Sequence, residues 1–304
     1  MLQLVQLFVN KLISFGGFKR NEFSNRAYRE LVTALQNMSN HDVVMISPLI
    51  NMYKSCSGCI IIDTTDNPKY GLDRLAIKMK NLSNGAYSKG FKIVLFLYKV
   101  GDKTIPLGFG LLHKENKSQE RTTLEGLSIL RNQYKLKPKY VLADGAFGTQ
   151  KITKRLDDYR WGFVIKGKKN YSLDGRPMKR QIQRGYGNAT GRLKNGVKVK
   201  VVRRPKRFFM SNRVSLTAEE MLAAYKMRWR IEETFRFLKS CIGLNGCHQH
   251  SMQAQAIYVF GCLALYSIFE TIRGTSIYKT AKPFFSGDLS IDYSMVTRVF
   301  AIAS

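Results

Sequence analysis

The order of the apolar runs between residues 58 and 167 limits most strongly how this chain can fold. CIIIDTT is a short β-branched run that ends in a polar turn, which predicts a buried strand. Two apolar runs around a Gly-Asp turn at 91–112 predict a hairpin. A helix is predicted over 118–134, a strand in YVLADGAFG, a helix in TQKITKRLDDY and a strand in WGFVIKG. This order predicts an α/β fold in which helices cover a mixed sheet.

The sequence changes character at about residue 170, after which glycine and basic residues dominate. KVKVVRR and FFMSN are strand-like and no long helical pattern is present, so this region is predicted to be a β-rich insertion. RAYRELVTALQNM has apolar positions at helical spacing and predicts helix near the N-terminus. The predicted regions are an N-terminal helical region at 1–57, the first part of the core at 58–169, the insertion at 170–212 and the completion of the core at 213–304.

Two helices are predicted in the last region. The first begins near Thr217, because TAEE offers an N-cap residue followed by acids in the first turn. The second contains AIYVFGCLALYSIF at 256–269, an apolar run that is short for a membrane span and typical of a buried helix. The N-terminal MLQLVQLFVNKLISF lacks a basic start and a small-residue cleavage site, so neither a leader nor a membrane partner is expected.

The charge balance points to a polyanionic partner. Fifty Lys and Arg residues face twenty-one Asp and Glu residues, which gives a net charge of +29. Such an excess repels itself, and here it runs through the whole chain instead of being confined to a tail. Nucleic acid is therefore favoured over a general adaptation of solubility and over an anionic membrane.

The cysteines give little support for a disulfide framework or a zinc site. Their number is five, which is odd, and a reducing cytoplasmic environment is expected. Cys56 and Cys59 have a zinc-like spacing, but Cys59 opens an apolar run. The distant candidates Cys241, Cys247, His248 and His250 lack the compact pair spacing of structural zinc sites.

Three acids stand at positions that suit chemistry. Asp63 follows Ile60–Ile62 at the end of one predicted strand, and Asp144 follows Ala143 at the end of another. Neighbouring strands would bring both carboxylates to one end of the sheet, where α/β proteins usually bind ligands. Glu232 lies on a predicted helix that could cross the same end. Carboxylates that meet in a basic chain repel one another unless divalent ions relieve the repulsion.

Such a trio suits phosphodiester cleavage. Two metal ions about 3.5–4 Å apart can activate a water or hydroxyl and stabilise the leaving oxygen. Mg²⁺ accepts a few carboxylates together with water and substrate oxygens, so no side-chain nucleophile is needed. Each acid also has an ordinary alternative. Asp63 and Asp144 could simply be turn residues, and Glu232 could pair with Arg228 or Arg236, four residues away on either side.

The helix around Glu232 concentrates cations and aromatic residues. Its apolar stripe comprises Met227, Ile231, Phe235, Leu238 and Ile242. A second stripe comprises Tyr225, Arg228, Glu232, Arg236 and Lys239. A carboxylate flanked by cations and a tyrosine on this stripe suits a DNA backbone held beside metal ions. Glu233 points about 100° away and is the weaker candidate for a metal ligand.

The spacing Tyr225-x2-Arg228-x3-Glu232-x6-Lys239 resembles the YREK signature of DDE transposases in insertion-sequence family four. IIIDTT with Asp63 resembles the first acidic motif of that family, and VLADGAFG with Asp144 resembles the second. FFMSN is similar to the strand that the family places after its β-rich insertion. The resemblance extends over about residues 58–270, and the YREK spacing is its most specific part.

The resemblance implies a ribonuclease-H-like core in which Asp63, Asp144 and Glu232 bind two Mg²⁺ or Mn²⁺ ions. It implies a prokaryotic, nucleoid-associated enzyme that cuts double-stranded DNA at the terminal inverted repeats of a mobile element. The freed 3′ ends would then attack target DNA, within a homodimer on the DNA. Relatives that flip a base onto tryptophan make Trp229 a candidate for stacking, whereas Trp161 is expected to pack in a strand.

Two other functions share these features. A ribonuclease-H-like nuclease or resolvase would use the same acids without joining strands, and a domesticated DNA-binding protein would show salt-dependent binding without cleavage. Residues 1–57 are short for a separate domain that binds terminal repeats. Recognition of the element ends is therefore expected from this region together with the insertion.

Overall fold

The computed structural model describes residues 43–69, 75–80, 85–168, 171–182, 186–205, 207–247 and 252–285. Within these ranges the strands are β1 (Val43–Met45), β2 (Cys59–Pro68), β3 (Ile77–Lys80), β4 (Tyr87–Val100), β5 (Lys103–Leu112), β6 (Tyr140–Ala143), β7 (Gly162–Gly167), β8 (Ser172–Leu173), β9 (Arg176–Pro177), β10 (Gly187–Arg192), β11 (Lys198–Arg204) and β12 (Arg207–Ser211). The helices are α1 (Ser47–Tyr53), α2 (Gln119–Asn132), α3 (Gln150–Asp158), α4 (Met178–Gln181), α5 (Ala218–Lys226), α6 (Trp229–Phe237), α7 (Met252–Ile272) and α8 (Ile277–Phe285).

One mixed sheet organises the described part of the chain. Its strand order is β1-β5-β4-β2-β6-β7-β12-β11-β10, and β3 pairs with β4. The three central strands β2, β6 and β7 run parallel to one another, and every other pairing in this sheet is antiparallel. The predicted mixed sheet is thus confirmed.

Helices bury both faces of the centre of this sheet. Ile61 belongs to the first core layer, which the sheet forms with α5, α6 and α7. Ile60 and Ile62 belong to the second core layer, which the sheet forms with α2 and α3. Side chains alternate between the two faces of a strand, so a strand covered on both faces needs a continuous apolar run. That requirement explains the three consecutive isoleucines of β2.

The hairpin and helices α2 and α3 agree with the sequence predictions. Strands β4 and β5 join through Gly101 and Asp102. Gly101 has a φ of 56°, a left-handed backbone angle that the turn requires and that glycine adopts without steric cost. Helix α2 begins after Ser118, whose hydroxyl accepts a hydrogen bond from the Arg121 amide. Helix α3 begins in the same way after Thr149.

Thr217 begins α5 as predicted, and a complete capping box with Glu220 holds this end. The stripes predicted from Tyr225 to Lys239 assume one unbroken helix, and that assumption is wrong. Helix α5 ends at Lys226 and α6 begins at Trp229. The amides of Arg228 and Ile231 bond to carbonyls three residues back, which tightens the turn between the two helices. A π-helical turn at Leu238–Ile242 then ends at Gly243, whose φ is 82°.

The predicted buried helix near the C-terminus is confirmed as α7, which is longer than its apolar run of 256–269. It is long and apolar enough to cross a membrane, but 83% of its most apolar window is buried inside the fold. Its side chains fill the first core layer beside α6. Burial by protein explains its composition, because a helix that is apolar on all sides must be surrounded by core or lipid.

The regions outside the core are described in part. Of the predicted helical region 1–57, residues 1–42 lie outside the described residues, and the remainder contains β1 and α1. In the predicted insertion at 170–212, β8 and β9 form a small separate sheet. Strands β10, β11 and β12 instead continue the main sheet from β7. The predicted β-rich character of this region is therefore present, and most of it enlarges the main sheet.

Candidate active site

Strand register brings the two predicted aspartates together. Strands β2 and β6 are parallel, and their last paired residues are Ile62 and Ala143. Asp63 and Asp144 each follow directly, so they stand side by side on neighbouring strands. Both lie on the face that carries the first core layer, because side chains two residues apart share a face. The sequence expectation that neighbouring strands unite these carboxylates is consistent with this register.

A lysine completes this row of side chains. Ala143 pairs with Ile165 of β7, so Lys166 lies next to Asp144. The Lys166 ammonium is 3.4 Å from the Asp144 carboxylate, and both side chains are about two-fifths exposed. Such a partly exposed pair contributes little to stability. Sequence reasoning did not identify Lys166, although alternation along WGFVIKG places it on the same face as Val164.

Arg228 connects Asp63 to the predicted catalytic glutamate. One guanidinium nitrogen donates to Asp63 Oδ2 at 2.7 Å, and another donates to Glu232 Oε1. The other Asp63 oxygen accepts a hydrogen bond from the Thr64 amide at 2.8 Å. The Arg228 side chain is only 13% exposed. The pairing of Glu232 with Arg228, which the sequence offers as an ordinary alternative, is thus formed, and it extends to Asp63.

The pKa of Asp63 is shifted by its burial and by these neighbouring charges. Burial raises the pKa of its carboxyl to about 6. The Thr64 amide and the Arg228 charge oppose this shift, whereas the charges of Asp144 and Glu232 add to it. Both of the other predicted acids therefore act electrostatically on Asp63. A carboxyl with a strongly raised pKa in a cluster of charged groups is typical of a functional site.

Tyr225 stands beside the same cluster. Burial raises the pKa of its hydroxyl to about 12, and the charges of Asp144 and Asp63 act in the same direction. Its ring meets Phe209 edge-on at 4.7 Å between centroids, and the Arg228 guanidinium lies 5.4 Å from the ring centroid. Tyr225 is therefore neutral at physiological pH and keeps a proton to donate in a hydrogen bond.

The other residues predicted to bind DNA lie at different places around α6. Trp229 is 52% exposed, as a side chain that stacks on a base must be, and Trp161 is buried as expected. Lys239 is half-buried, and burial lowers the pKa of its ammonium while Asp66 opposes the shift. Arg236 is exposed and lines a cavity of about 230 Å³ that it shares with Glu233 and other polar residues. The structure therefore does not bring Arg236 to the Asp63 cluster.

The donor set of the cluster fits a divalent ion, but its present arrangement does not hold one. Carboxylate oxygens are the ligands that Mg²⁺ and Mn²⁺ prefer. Among the described residues, however, no group of three or more His, Cys, Asp or Glu side chains is close enough to hold a metal ion. The Arg228 guanidinium lies between Asp63 and Glu232, where it neutralises part of their charge. Arg228 thus takes the position beside Asp63 and Glu232 that a cation would otherwise occupy.

The mixed sheet with helices on both faces is consistent with the ribonuclease-H-like fold of enzymes that act on nucleic acid. A family model, the transposase DDE domain, matches residues 54–268, more than two thirds of the chain. The chain therefore belongs to the DDE transposase family. It is a DNA transposase, a metal-dependent enzyme that cleaves and transfers DNA.

Comparison with solved structures agrees with the fold. The chain is similar to piggyBac transposase in a synaptic complex with hairpin DNA, at a TM-score of 0.50 and 11% identity, over 98% of this chain and 70% of that one. It also matches an endonuclease V from Bacillus subtilis at a TM-score of 0.30 and 11% identity, over 72% of this chain and 96% of that one, a likeness too weak to support an argument. No curated protein matches the sequence.

Proposed function

We propose that Asp63, Asp144 and Glu232 are the metal ligands of this transposase and that they bind two Mg²⁺ or Mn²⁺ ions. The assignment is supported by strand register, which sets Asp63 beside Asp144, and by Arg228, which contacts both Asp63 and Glu232. The raised pKa of Asp63 supports the assignment, because burial, together with the charges of Asp144 and Glu232, makes its carboxylate costly in the absence of a cation.

The chain's own residues would bind and orient the DNA around this centre. When bound, the ions activate a water or 3′-hydroxyl and stabilise the leaving oxygen of the phosphodiester. Arg228 is able to exchange its carboxylate partners for a DNA phosphate, since a guanidinium binds both geometries. The Tyr225 hydroxyl, which stays protonated, can donate a hydrogen bond to a phosphate oxygen on the same side. Lys166, beside Asp144, adds positive charge where the scissile phosphate would lie.

We assign the chain, more finely, to insertion-sequence family four. Three of the four residues of the signature spacing, Tyr225, Arg228 and Glu232, meet at the aspartates, which supports this assignment. The proposed reaction is cleavage at the terminal inverted repeats of a mobile element and transfer of the 3′ ends to target DNA. We further propose that a homodimer carries it out on DNA in a prokaryotic cell, since two element ends must be joined.

The test uses DNA that carries the inverted repeats flanking the gene. The variants Asp63→Asn, Asp144→Asn and Glu232→Gln are each expected to lose nicking in Mg²⁺ or Mn²⁺ by at least about 100-fold, because each removes a metal ligand. DNA binding in EDTA is expected to persist in all three.

Glu233→Gln is the matched control, because Glu233 is the neighbouring acid of α6 and pairs with Arg230 instead. Its nicking rate is expected to stay within about threefold of the unchanged protein. Retained nicking in any two of the three acid variants would refute the assignment. Strand transfer from pre-cut ends separates a transposase from a ribonuclease-H-like nuclease, which would cut without joining.

A further inference from the structure

A second row of side chains crosses the sheet beyond the carboxylates. Gly167 of β7 pairs with Phe208, so the next residue, Lys168, lies opposite Arg207. Arg207 pairs with Arg204 of β11. Gly187 of β10 pairs with Arg203, which places Tyr186 beside Arg204. We call Lys168, Arg207, Arg204 and Tyr186 the cationic row.

The cationic row lies on the same face of the sheet as the aspartates. Phe209 and Val202 belong to the first core layer, and Arg207 and Arg204 are each two residues away from one of them. Lys168 is likewise two residues after Lys166, which contacts Asp144. Two residues of a strand span about 7 Å, so the row starts within one side-chain length of the proposed active site.

The charge of the row is poorly compensated. Lys168 and Arg207 are exposed, and of the residues that the structure describes no acid lies within ion-pair distance of either. Arg204 contacts Glu219 at 3.4 Å, but the Glu219 side chain is 80% exposed, so this pair is weak. Three cations that stand side by side repel one another, and an anionic ligand would relieve that repulsion.

Tyr186 specifies which anion fits. Its side chain is 68% exposed, and the Arg204 guanidinium lies 5.3 Å from its ring centroid. Cations that follow a backbone beside an exposed aromatic ring are the features of surfaces that bind single-stranded nucleic acid. Bases paired within a duplex stack on one another and do not offer a face to such a ring, whereas an unpaired base does.

We propose that the cationic row binds a single DNA strand as it leaves the active site, with the cations on its phosphates and Tyr186 stacked on an unpaired base. This inference rests on the proposed function, because the strand bound by the row is the one that would be cut at the neighbouring acids. The proposed ligand of the cationic row is therefore a DNA strand that is unpaired next to the scissile phosphate.

The experiment measures binding of labelled single-stranded and duplex oligonucleotides by fluorescence anisotropy in EDTA. Because no metal is present, its result does not depend on which residues carry out cleavage. The variant Lys168→Gln/Arg207→Gln is expected to weaken single-strand binding by at least about tenfold. It should also reduce the slope of log affinity against log salt by about 1.4, which is the value for two phosphate contacts.

The control Lys151→Gln/Lys154→Gln removes the same charge from α3, on the opposite face of the sheet, where both lysines are exposed. For this control, the single-strand affinity is expected to stay within about twofold of that of the unchanged protein. The slope of log affinity against log salt should change by less than about 0.5. Equal effects of the two double variants would overturn the proposal, since they would show only an effect of net charge.

The tyrosine separates single-strand binding from duplex binding. Tyr186→Ala is expected to weaken single-strand binding by about tenfold, the range for loss of one base stack, while duplex binding stays within about twofold. Tyr186→Phe keeps the ring and should bind as the unchanged protein does. Equal losses on both DNA forms, or no loss on either, would refute the assigned ligand. Thermal melting of each variant checks that the fold is retained.

Discussion

The raised pKa of Asp63 predicts that this residue destabilises the metal-free protein at neutral pH. The folded-state pKa is about 6, against an ordinary value of 3.8. At about 1.4 kcal/mol per pH unit, the ionised carboxylate lowers the free energy of unfolding by about 3 kcal/mol. The side chain is only 19% exposed, so solvent screens this cost little. Asp63→Asn should remove it, because the amide has the shape and charge of the protonated acid.

The sign and the pH range follow from the two pKa values. Below pH 3.8 the carboxyl is protonated in the folded and unfolded states, so it has no effect on the free energy of unfolding. As the pH rises from 3.8 to about 6, the carboxyl ionises in the unfolded chain before it ionises in the folded protein, so the free energy of unfolding falls. The loss is complete once the pH exceeds about 6. The stabilisation by Asp63→Asn should therefore be about 3 kcal/mol at pH about 7.5 and about 1 kcal/mol at pH about 4.5.

The assay is urea unfolding in EDTA at these two pH values, followed by circular dichroism. Asp158→Asn is the control, because Asp158 pairs with Lys154 at an exposed position of α3 and should change stability by less than about 1 kcal/mol. Added Mg²⁺ should narrow the difference between the unchanged protein and Asp63→Asn, since an ion that binds only the folded state stabilises it. A variant that gains no stability at neutral pH, or gains equally at both pH values, would refute the reasoning.

Three further predictions concern the site and the fold. Arg228→Ala should tighten Mn²⁺ binding in the absence of DNA by about tenfold, because it removes a positive charge that repels the ion. Electron paramagnetic resonance of free Mn²⁺ measures this affinity, and unchanged or weaker binding would contradict the prediction. Gly126→Ala should cost about 1–3 kcal/mol in urea unfolding, because an added methyl would lie 2.3 Å from the buried Phe96 ring; a gain from helix propensity would contradict the packing. Thr217→Ala should cost about 1 kcal/mol by the same measurement through loss of the N-cap, and an unchanged stability would show that the capping box contributes nothing.

The balance of charges explains why the acids of this site can coexist without ions. Arg228 and Lys166 each neutralise part of the cluster, and Arg228 is held by contacts to two of the three acids. The carboxylates can exchange a side-chain cation for a metal ion, and the released side-chain cation can then bind a phosphate. The binding of DNA and of metal ions is therefore expected to be coupled through the position of Arg228.

Local sequence patterns predicted much of the fold. The β-branched run before Asp63 predicts β2, the Gly-Asp turn predicts the hairpin, and Thr217 predicts the start of α5. Each of these signals lies within a few neighbouring residues, so it does not depend on the rest of the chain. The break between α5 and α6 has no such signal. Met227 and Arg228 keep helical backbone angles, and only their hydrogen bonds show the tightened turn.

The sequence by itself determined which residue types end the strands, where the aspartates stand in them and how strongly the chain favours a polyanion. The tertiary structure alone decided that Lys166 lies beside Asp144, that Arg228 joins Asp63 to Glu232 and that the cationic row forms. The physical reason is that strand pairing depends on burial summed over segments far apart in the chain. A periodic pattern tells which face a side chain occupies, whereas its neighbours across the sheet are set by register.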